Sequence, residues 1–330
     1  MGRRGEGFGR EPGVTGMADH PPNAAPDVPD HAPLCAPPDR HPRLPRNPLP
    51  RGACDCHAHI FGPAAEFAYA AERIYTPPDC TWTDYRHLLD TLGLERAVLV
   101  QPSVYGTDNA AMLAALAVAG PGVRAVAVVG ENVSADELAS LNGAGVRGVR
   151  FNLVDRRDAR NAVPKELLRS IALRIAPLGW HIELLINLDQ AAAFTSSLDD
   201  IPVPIVIGHM GYPREGAPSW IDSPGFSDLL RLLDGGQYWV KLTGPYRISA
   251  RELPYDDVDA VARKLIAVAG ERMLWGTDWP HVMVKTRMPN DGDLADLIER
   301  WAPDAAARSR ILIDNPAALY GFVPGERIGD

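Results

Sequence analysis

From about residue 53 to its end, the chain alternates short apolar runs with longer amphipathic segments. Eight runs have the length and composition of buried strands, and they cover residues 53–60, 96–101, 123–129, 146–153, 180–187, 204–209, 238–243 and 272–277. Strands that alternate with helices indicate a parallel sheet, because parallel neighbours need a crossover connection. Eight such units predict an α/β fold, a single-domain (β/α)8 TIM barrel of about 250 residues.

The segments between the runs carry helix start and stop signals. Ser134 and Glu137 are spaced as in a capping box, which predicts a short helix that ends near Gly143. Other predicted helices stop before glycines or lie near the end of the chain, and they cover residues 84–92, 164–178, 226–233, 255–269, 294–301 and 305–313. Residues 61–78 have no clear period and follow the first strand, so we expect a loop over the barrel mouth.

Residues 1–50 differ from the rest, because prolines crowd there and large apolar residues are few. Such a segment cannot bury enough surface to offset the entropy lost on ordering. We therefore predict a largely disordered, proline-rich extension over residues 1–50 and a barrel domain over residues 51–330. Within the extension, disorder is expected up to about residue 40, and residues 41–52 are expected to lie extended against the barrel.

The amino-acid composition limits the classes of binding partner and the cellular compartment that we expect. A formal net charge of −9 argues against nucleic acid or an anionic membrane surface as a partner. No apolar run approaches the ~20 residues of a membrane span, and no apolar region follows the basic start as in a signal peptide. The four cysteines are too few for a disulfide scaffold, so we expect buried thiols and a cytoplasmic protein. The oligomeric state stays open, a homo-oligomer included.

Polar residues stand at the trailing ends of three predicted strands, where a TIM barrel carries its active site. On the first strand Asp55, His57 and His59 are spaced two apart, so they are expected to share one face. His209 ends the sixth strand and Asp278 follows the eighth. One histidine in an apolar strand is often a hydrogen-bonded core residue. Three histidines with a strand-end aspartate instead indicate a hydrolase centre.

Arg150 lies near the end of the otherwise apolar fourth strand. A buried guanidinium without an anionic partner is very costly. Asp55 or Glu183 could supply that partner structurally, and a substrate carboxylate could supply it functionally. Arg156 follows just beyond the strand and doubles the positive charge, which favours the functional interpretation.

Six motifs together resemble the amidohydrolase superfamily, of the amidohydrolase-2 type, and within it a branch of lactone hydrolases. The motifs are Asp55-Cys56-His57-Ala58-His59, Tyr75-Thr76-Pro77-Pro78, Val100-Gln101-Pro102-Ser103, Gly148-Val149-Arg150-Phe151-Asn152, Gly208-His209-Met210-Gly211 and Trp275-Gly276-Thr277-Asp278-Trp279-Pro280-His281. The resemblance covers about residues 52–322. It implies a barrel that hydrolyses a small anionic lactone, either like 2-pyrone-4,6-dicarboxylate or like a sugar-acid lactone or muconolactone, as in aromatic compound degradation.

The resemblance also implies roles for particular residues. Asp278 matches the general base that activates water, and His57, His59 and His209 match the residues that polarise the lactone carbonyl. Candidates for binding the substrate carboxylates are Tyr75, Ser103, Arg150, Arg156, Tyr212 and Arg247. Two departures from the branch pattern stand out, because Tyr212 occupies a region where an arginine is expected and Val282-Met283-Val284 replaces an expected nearby asparagine. The pocket is therefore expected to be less polar, or to bind one fewer carboxylate.

The cofactor prediction depends on the fifth strand. Relatives that use a divalent ion have a histidine at its end, where this chain has Asn187. No obligatory metal is therefore predicted; if a zinc ion is present, its ligands are His57, His59, His209 and Asp278. Two alternatives stay open: a metal-dependent decarboxylase or other zinc amidohydrolase on the same barrel, and a non-catalytic binding barrel.

Overall fold

Eight parallel strands follow one another around a barrel in chain order in the computed structural model, which describes residues 32–155, 163–190, 198 and 200–329. The strands are β1 Cys54–Ala58, β2 Arg96–Val100, β3 Val123–Ala127, β4 Val146–Asn152, β5 His181–Leu185, β6 Ile205–Ile207, β7 Tyr238–Leu242 and β8 Met273–Trp275. The backbone beyond β8 returns to β1, where Asp278 N donates to His57 O at 2.8 Å and His59 N donates to Trp279 O at 2.9 Å. The predicted (β/α)8 TIM barrel is confirmed, and every observed strand lies inside its predicted range.

Helices connect the strands and continue past β8. They are α1 Trp82–Leu92, α2 Ala110–Ala119, α3 Ala135–Gly143, α4 Lys165–Ile175, α5 Ala217–Trp220, α6 Pro224–Asp234, α7 Asp259–Ala269, α8 Asp291–Trp301, α9 Ala305–Ser309 and α10 Asn315–Tyr320. Among the described residues, no helix is long and apolar enough to cross a membrane.

The predicted helix ends hold in several places and fail in others. Gly93 ends α1 with a left-handed φ of 73°, and Ser134 Oγ accepts from Glu137 N at the start of α3. The predicted start of α7 at residue 255 is wrong, because Tyr255 has a left-handed φ of 51° that a helix cannot continue through. α2 was not predicted, because its alanine-rich sequence has no polar face.

The described part of the proline-rich segment, from residue 33 onwards, packs on the barrel. Cys35 N donates to Thr76 O at 2.8 Å, and the Arg40 guanidinium pairs with Asp84 at 2.7 Å. Arg43 Nε donates to Asp293 on α8 at 2.7 Å. Predicted disorder up to about residue 40 is therefore wrong for residues 33–40, because these contacts tie them to the barrel. Residues 1–31 lie outside the described residues.

Cys54 and Cys56 agree with their prediction as buried small apolar residues. None of the four cysteines forms a disulfide, and Cys54, Cys56 and Cys80 are buried among apolar side chains. Cys35 is only partly buried. These thiols behave as small apolar residues of the core.

Candidate active site

His59 presents a defined ring nitrogen to the mouth of the barrel, just beyond the end of β1. Its Nδ1 atom lies 2.7 Å from the Val100 carbonyl oxygen, and since a carbonyl only accepts, Nδ1 carries a proton. Burial, and then the neighbouring charges of His57 and Arg150, hold the pKa of His59 well below its ordinary value. The ring is therefore neutral, and its Nε2 atom is a hydrogen-bond acceptor, 4.0 Å from Asp278 Oδ1.

The two carboxylate oxygens of Asp278 differ in their hydrogen bonding to the described residues. Its Oδ2 atom accepts from Arg247 Nε at 2.5 Å and from the Tyr246 hydroxyl at 2.6 Å. Its Oδ1 atom is buried and has no hydrogen-bond partner in the described part of the chain. Burial alone would raise the pKa of Asp278, but the charge of Arg247, together with the electrostatic effects of the His209 and His57 rings, holds it well below its ordinary value. The carboxylate is therefore ionised.

His57 lies against a buried ion pair. Lys241 Nζ donates to Glu183 Oε2 at 2.6 Å, and neither side chain is exposed by more than 2%. His57 Nδ1 lies 3.1 Å from Lys241 Nζ and 3.3 Å from Glu183 Oε1. Burial, and then Lys241, lower the pKa of His57, which keeps the ring neutral. Its Nε2 atom, 3.7 Å from Asp278 Oδ1, has no hydrogen-bond partner among the described residues.

His209 follows β6 with a left-handed φ of 47°. Its Nδ1 atom lies 2.7 Å from Thr243 Oγ1 and 3.9 Å from Asp278 Oδ2. Burial is the largest effect that holds the pKa of His209 well below its ordinary value. Gly244 makes this approach feasible, since a Cβ there would lie 2.9 Å from Asp278 Oδ2 and 3.0 Å from His209 Nδ1. The sequence reasoning missed this glycine; its only signal is its position two residues after the end of β7.

Asp55 does not join the histidines, so the prediction that it shares their face is wrong. The pairing of β1 with β2 shifts register between Asp55 and Ala58, and a bulge of this kind breaks the two-residue alternation. The Asp55 carboxylate instead accepts from Thr277 N and Oγ1 and from the Tyr85 hydroxyl. Burial raises the pKa of Asp55 to about 6 despite these bonds. Asp55 therefore links β1 to α1 and to the end of β8.

Arg150 is buried in the same region, and no carboxylate of the described residues pairs with it. Its Nη1 atom donates to Gln101 O at 2.8 Å, and its Nε atom has no hydrogen-bond partner among the described residues. Neither Asp55 nor Glu183 forms an ion pair with it within 4.0 Å, so the predicted structural partner is wrong. The charge of Arg150 acts on Glu183 from a greater distance and helps to lower its pKa.

A narrow cavity brings most of the predicted site residues together. Its walls in the described chain are His59, Tyr75, Arg150, Asp155, Leu185, His209, Tyr212, Arg247, Asp278, Val282 and Met283. Ser103 is not in the wall of the cavity, but it lies beside the phenol of Tyr75. Burial, the larger effect, raises the pKa of Tyr75, and the hydrogen bond with Ser103 partly lowers it. Arg156 lies outside the described residues.

Two further side chains reach the site without having been predicted there. Tyr246 donates to Asp278, and Glu183 lies 3.3 Å from His57. A tyrosine in a loop after a strand has no distinguishing pattern. Glu183 stands two residues after His181 on β5, and an acidic residue inside an apolar strand is the signal that could have identified it.

Three ligand atoms have a spacing that suits a metal ion. The atoms offered by His57, His59 and Asp278 all lie within 4.8 Å of one another. Ligands of one zinc ion lie roughly 3.4 Å apart in a tetrahedral site, and Asp278 Oδ1 is 3.7 Å and 4.0 Å from the two Nε2 atoms. The orphaned Oδ1 atom and the unprotonated Nε2 of His59 are suitable donors. Asn187 donates instead to Tyr212 O at 2.7 Å.

Comparisons with known proteins agree with this architecture. The amidohydrolase family model matches residues 54–322. A 2-pyrone-4,6-dicarboxylate hydrolase of Comamonas testosteroni is 39% identical over 289 residues, which are 85% of this chain and 93% of that protein. A 4-sulfomuconolactone hydrolase of Rhizobium radiobacter is 38% identical over 293 residues, 87% of this chain and 97% of that protein.

A solved structure has a similar fold as well as a similar sequence. The structure of an Agrobacterium tumefaciens protein is 31% identical, with a TM-score of 0.76, and the match covers 85% of this chain and 99% of that one. The family model spans most of the chain, and it begins at β1 and ends after α10. The protein belongs to the amidohydrolase family.

Proposed function

We propose that this protein is a lactone hydrolase that opens a lactone carrying an anionic group, with Asp278 as the base that activates water. The observation that carries the proposal is the pair formed by Asp278 Oδ1 and His59 Nε2, two acceptors 4.0 Å apart. A water molecule between them would donate one proton to each acceptor. A lone pair on its oxygen would then face the lactone in the cavity.

The bond changes follow from this placement. The water oxygen attacks the lactone carbonyl carbon, one of its protons moves to Asp278, and the carbonyl oxygen becomes an oxyanion. Collapse of the tetrahedral intermediate breaks the ring C–O bond, and Asp278 returns its proton to the departing oxygen. A lactone is already an activated acyl group, so a base and oxyanion donors are sufficient without a covalent nucleophile.

His57 and His209 are the proposed oxyanion donors. Of the two polar groups beside His57 Nδ1, Lys241 Nζ at 3.1 Å lies closer than Glu183 Oε1 at 3.3 Å. Because an ammonium group only donates, we assign the proton of His57 to Nε2. The Thr243 hydroxyl lies 2.7 Å from His209 Nδ1, and we assign it as the donor there, which gives His209 the same tautomer. His59 is different, because its Nδ1–H is already committed to Val100. We therefore assign His59 to the water rather than to the carbonyl.

Arg150 is the proposed partner of the substrate anion. It is buried, its Nε atom is unpartnered among the described residues, and it lines the cavity with Tyr75. A guanidinium can hold a carboxylate or sulfonate through two hydrogen bonds. The two named relatives act on lactones that carry carboxylate or sulfonate groups, which supports the same substrate class here.

A metal ion is not required by this mechanism. One held by His57, His59 and Asp278 would polarise the carbonyl as a Lewis acid, and this ligand set favours a zinc-dependent decarboxylase or hydrolase as the alternative function. Two fixed cations oppose it. Arg247 already bonds to Asp278, and Lys241 lies 3.1 Å from His57. Their charges repel a divalent cation.

A lactone panel tests the proposal. Purified protein is assayed for acid release from 2-pyrone-4,6-dicarboxylate, 4-sulfomuconolactone, muconolactone, galactarolactone and uncharged δ-valerolactone. We expect an anionic lactone to be hydrolysed and δ-valerolactone to be turned over far more slowly. If none of the four anionic lactones is hydrolysed, the proposed activity is contradicted. Release of CO₂ from a carboxylated substrate, dependent on added zinc, would favour the decarboxylase instead.

A further inference from the structure

A line of hydrogen bonds leads from Asp278 away from the cavity into the protein. The Tyr246 hydroxyl donates to Asp278 Oδ2 at 2.6 Å and also lies 3.1 Å from His281 Nδ1. On the other side of the ring, His281 Nε2 lies 2.9 Å from Asp291 Oδ1. His281 and Asp291 are both fully buried. Neither residue has a role in the proposed bond changes.

Counting protons fixes the direction of these bonds. A tyrosine hydroxyl has one proton, and the short bond to an ionised carboxylate takes it. The Tyr246 oxygen must then accept from His281, so Nδ1 of His281 carries a proton. At Nε2 a single proton is shared with Asp291, whichever of the two holds it. The Tyr246 hydroxyl and the Nδ1–H group of His281 therefore both point towards Asp278.

Local structure keeps His281 and Asp291 in this arrangement. His281 lies three residues after Asp278 with a left-handed φ of 62°, which turns its ring towards Tyr246. Asp291 is the first residue of α8, where the helix dipole favours a negative charge. Asn290 caps the same helix by accepting from Gly292 N at 3.1 Å. The end of the line is thus anchored on a helix rather than on a loop.

We propose that Tyr246, His281 and Asp291 are positioning residues that hold Asp278 Oδ2 and so keep Oδ1 aimed at the attacking water. This inference rests on the proposed role of Asp278 as the base. Arg247 also bonds to Oδ2 and supplies charge. The hydroxyl of Tyr246 adds a second direction, and two bonds from different directions stop the carboxylate from rotating. Asp291 holds His281, and His281 in turn strengthens the hydrogen bond from the Tyr246 hydroxyl to Asp278 Oδ2.

The primary test is Tyr246→Phe, assayed on whichever anionic lactone of the panel is hydrolysed fastest. Loss of a hydrogen bond to a charged group corresponds to about a ten- to hundredfold fall in kcat. KM should stay within about twofold, because the substrate anion is bound elsewhere. Tyr320→Phe is the matched control. Tyr320 is a buried tyrosine whose hydroxyl has no hydrogen-bond partner among the described residues, and its variant should keep the parent kcat.

Two mutant cycles test whether the residues act through Asp278. In an Asp278→Asn background, Tyr246→Phe should change the residual kcat by less than about twofold. Asp291→Asn alone should lower kcat by about three- to tenfold, and this loss should vanish in a Tyr246→Phe background. A merely structural role would give additive losses in both cycles.

The outcomes separate this inference from the proposed function. If Asp278→Asn keeps near-parent turnover, the base assignment fails and the inference fails with it. If Asp278→Asn is inactive but Tyr246→Phe keeps the parent kcat, only the positioning role is overturned. Additive losses in the first cycle overturn it as well. Should Asp291→Asn fail to fold, Tyr246→Phe and its cycle with Asp278 still decide the matter.

Discussion

Asp278 Oδ1 and His59 Nε2 lie 4.0 Å apart at the mouth of the barrel, and both atoms are hydrogen-bond acceptors. In each side chain, the second polar atom is already engaged. Arg247 and Tyr246 donate to Asp278 Oδ2, and His59 Nδ1–H donates to the Val100 carbonyl oxygen. Two acceptors side by side repel one another unless a donor lies between them. A water molecule or a metal ion would relieve this repulsion, and the predictions below separate the two.

Asp278→Asn should abolish most of the activity while the fold is kept. The amide has nearly the same volume but cannot accept the proton, and a well-placed general base contributes about 10²–10⁴-fold. We expect kcat to fall at least that far, measured on the best lactone of the panel, with an unchanged circular dichroism spectrum.

The control for this variant is Asp259→Asn. Asp259 is a buried aspartate on α7 that accepts from Trp301 Nε1 at 3.0 Å, and it is not among the residues that line the cavity. Its replacement should lower the melting temperature and leave kcat near the parent value. Near-parent turnover by Asp278→Asn would rule out the proposed base.

Exhaustive chelation should leave the activity intact, and added zinc should not raise it. The physical reason is the charge balance of the site, where Arg247 and Lys241 already neutralise Asp278 and Glu183. Metal content by mass spectrometry and turnover before and after chelation are the measurements. Stoichiometric zinc, with activity lost on chelation and regained on zinc addition, would contradict this expectation and favour the zinc-dependent alternative.

Arg150→Met should raise KM for anionic lactones. Loss of a charged hydrogen-bonding partner costs on the order of 1.5–3 kcal/mol, or roughly ten- to a hundredfold in kcat/KM. Uncharged lactones, where they are turned over, should be affected far less. Measuring both kinds of lactone with a thermal melt distinguishes substrate binding from a structural role.

Arg96→Met is the matched control for Arg150→Met. Arg96 is a buried arginine at the start of β2, and its Nε atom donates to the Glu326 carbonyl at 3.2 Å. The Arg96→Met substitution should lower the melting temperature, and any loss of activity should be the same for charged and uncharged lactones. Equal losses on every substrate by Arg150→Met, together with a lower melting temperature, would contradict the anion-binding role.

His181 should make the protein less stable in mild acid. Its ring is buried against Tyr320 and Gly148, and burial lowers its pKa from 6.5 to about 4. Between these values the unfolded chain binds a proton that the folded protein does not, so the free energy of unfolding falls as the pH drops from 6.5 to 4. The contribution of this group is about 3 kcal/mol over that window.

Denaturant unfolding at pH 7 and pH 4.5, for the parent and for His181→Asn, measures this contribution. The cavity left by the smaller side chain costs the same at both pH values and cancels in the comparison. The variant should therefore lose less stability between the two pH values than the parent does. An equal pH dependence for both proteins would show that His181 does not titrate in this way.

The barrel itself could be read from the sequence because its signals are local. All eight strands were predicted from apolar runs of strand length, and Gly93 and Ser134 marked helix ends by their own chemistry. His57, His59, His209 and Asp278 were grouped because parallel strands end at one face of a barrel. Patterns of this kind depend on residues within a few positions of each other, or on the symmetry of the fold.

Tertiary structure decided the features that depend on contacts between distant strands. A register shift in β1 turned Asp55 away from the histidines, which no two-residue alternation could reveal. The proton on His59 Nδ1 is fixed by a carbonyl 41 residues away, and Asp278 Oδ2 by a tyrosine 32 residues before it. The sequence by itself determined which groups meet at the barrel mouth. The packing of neighbouring strands determined which atom of each group stays available at the barrel mouth, because a hydrogen bond made at one atom decides what the other can do.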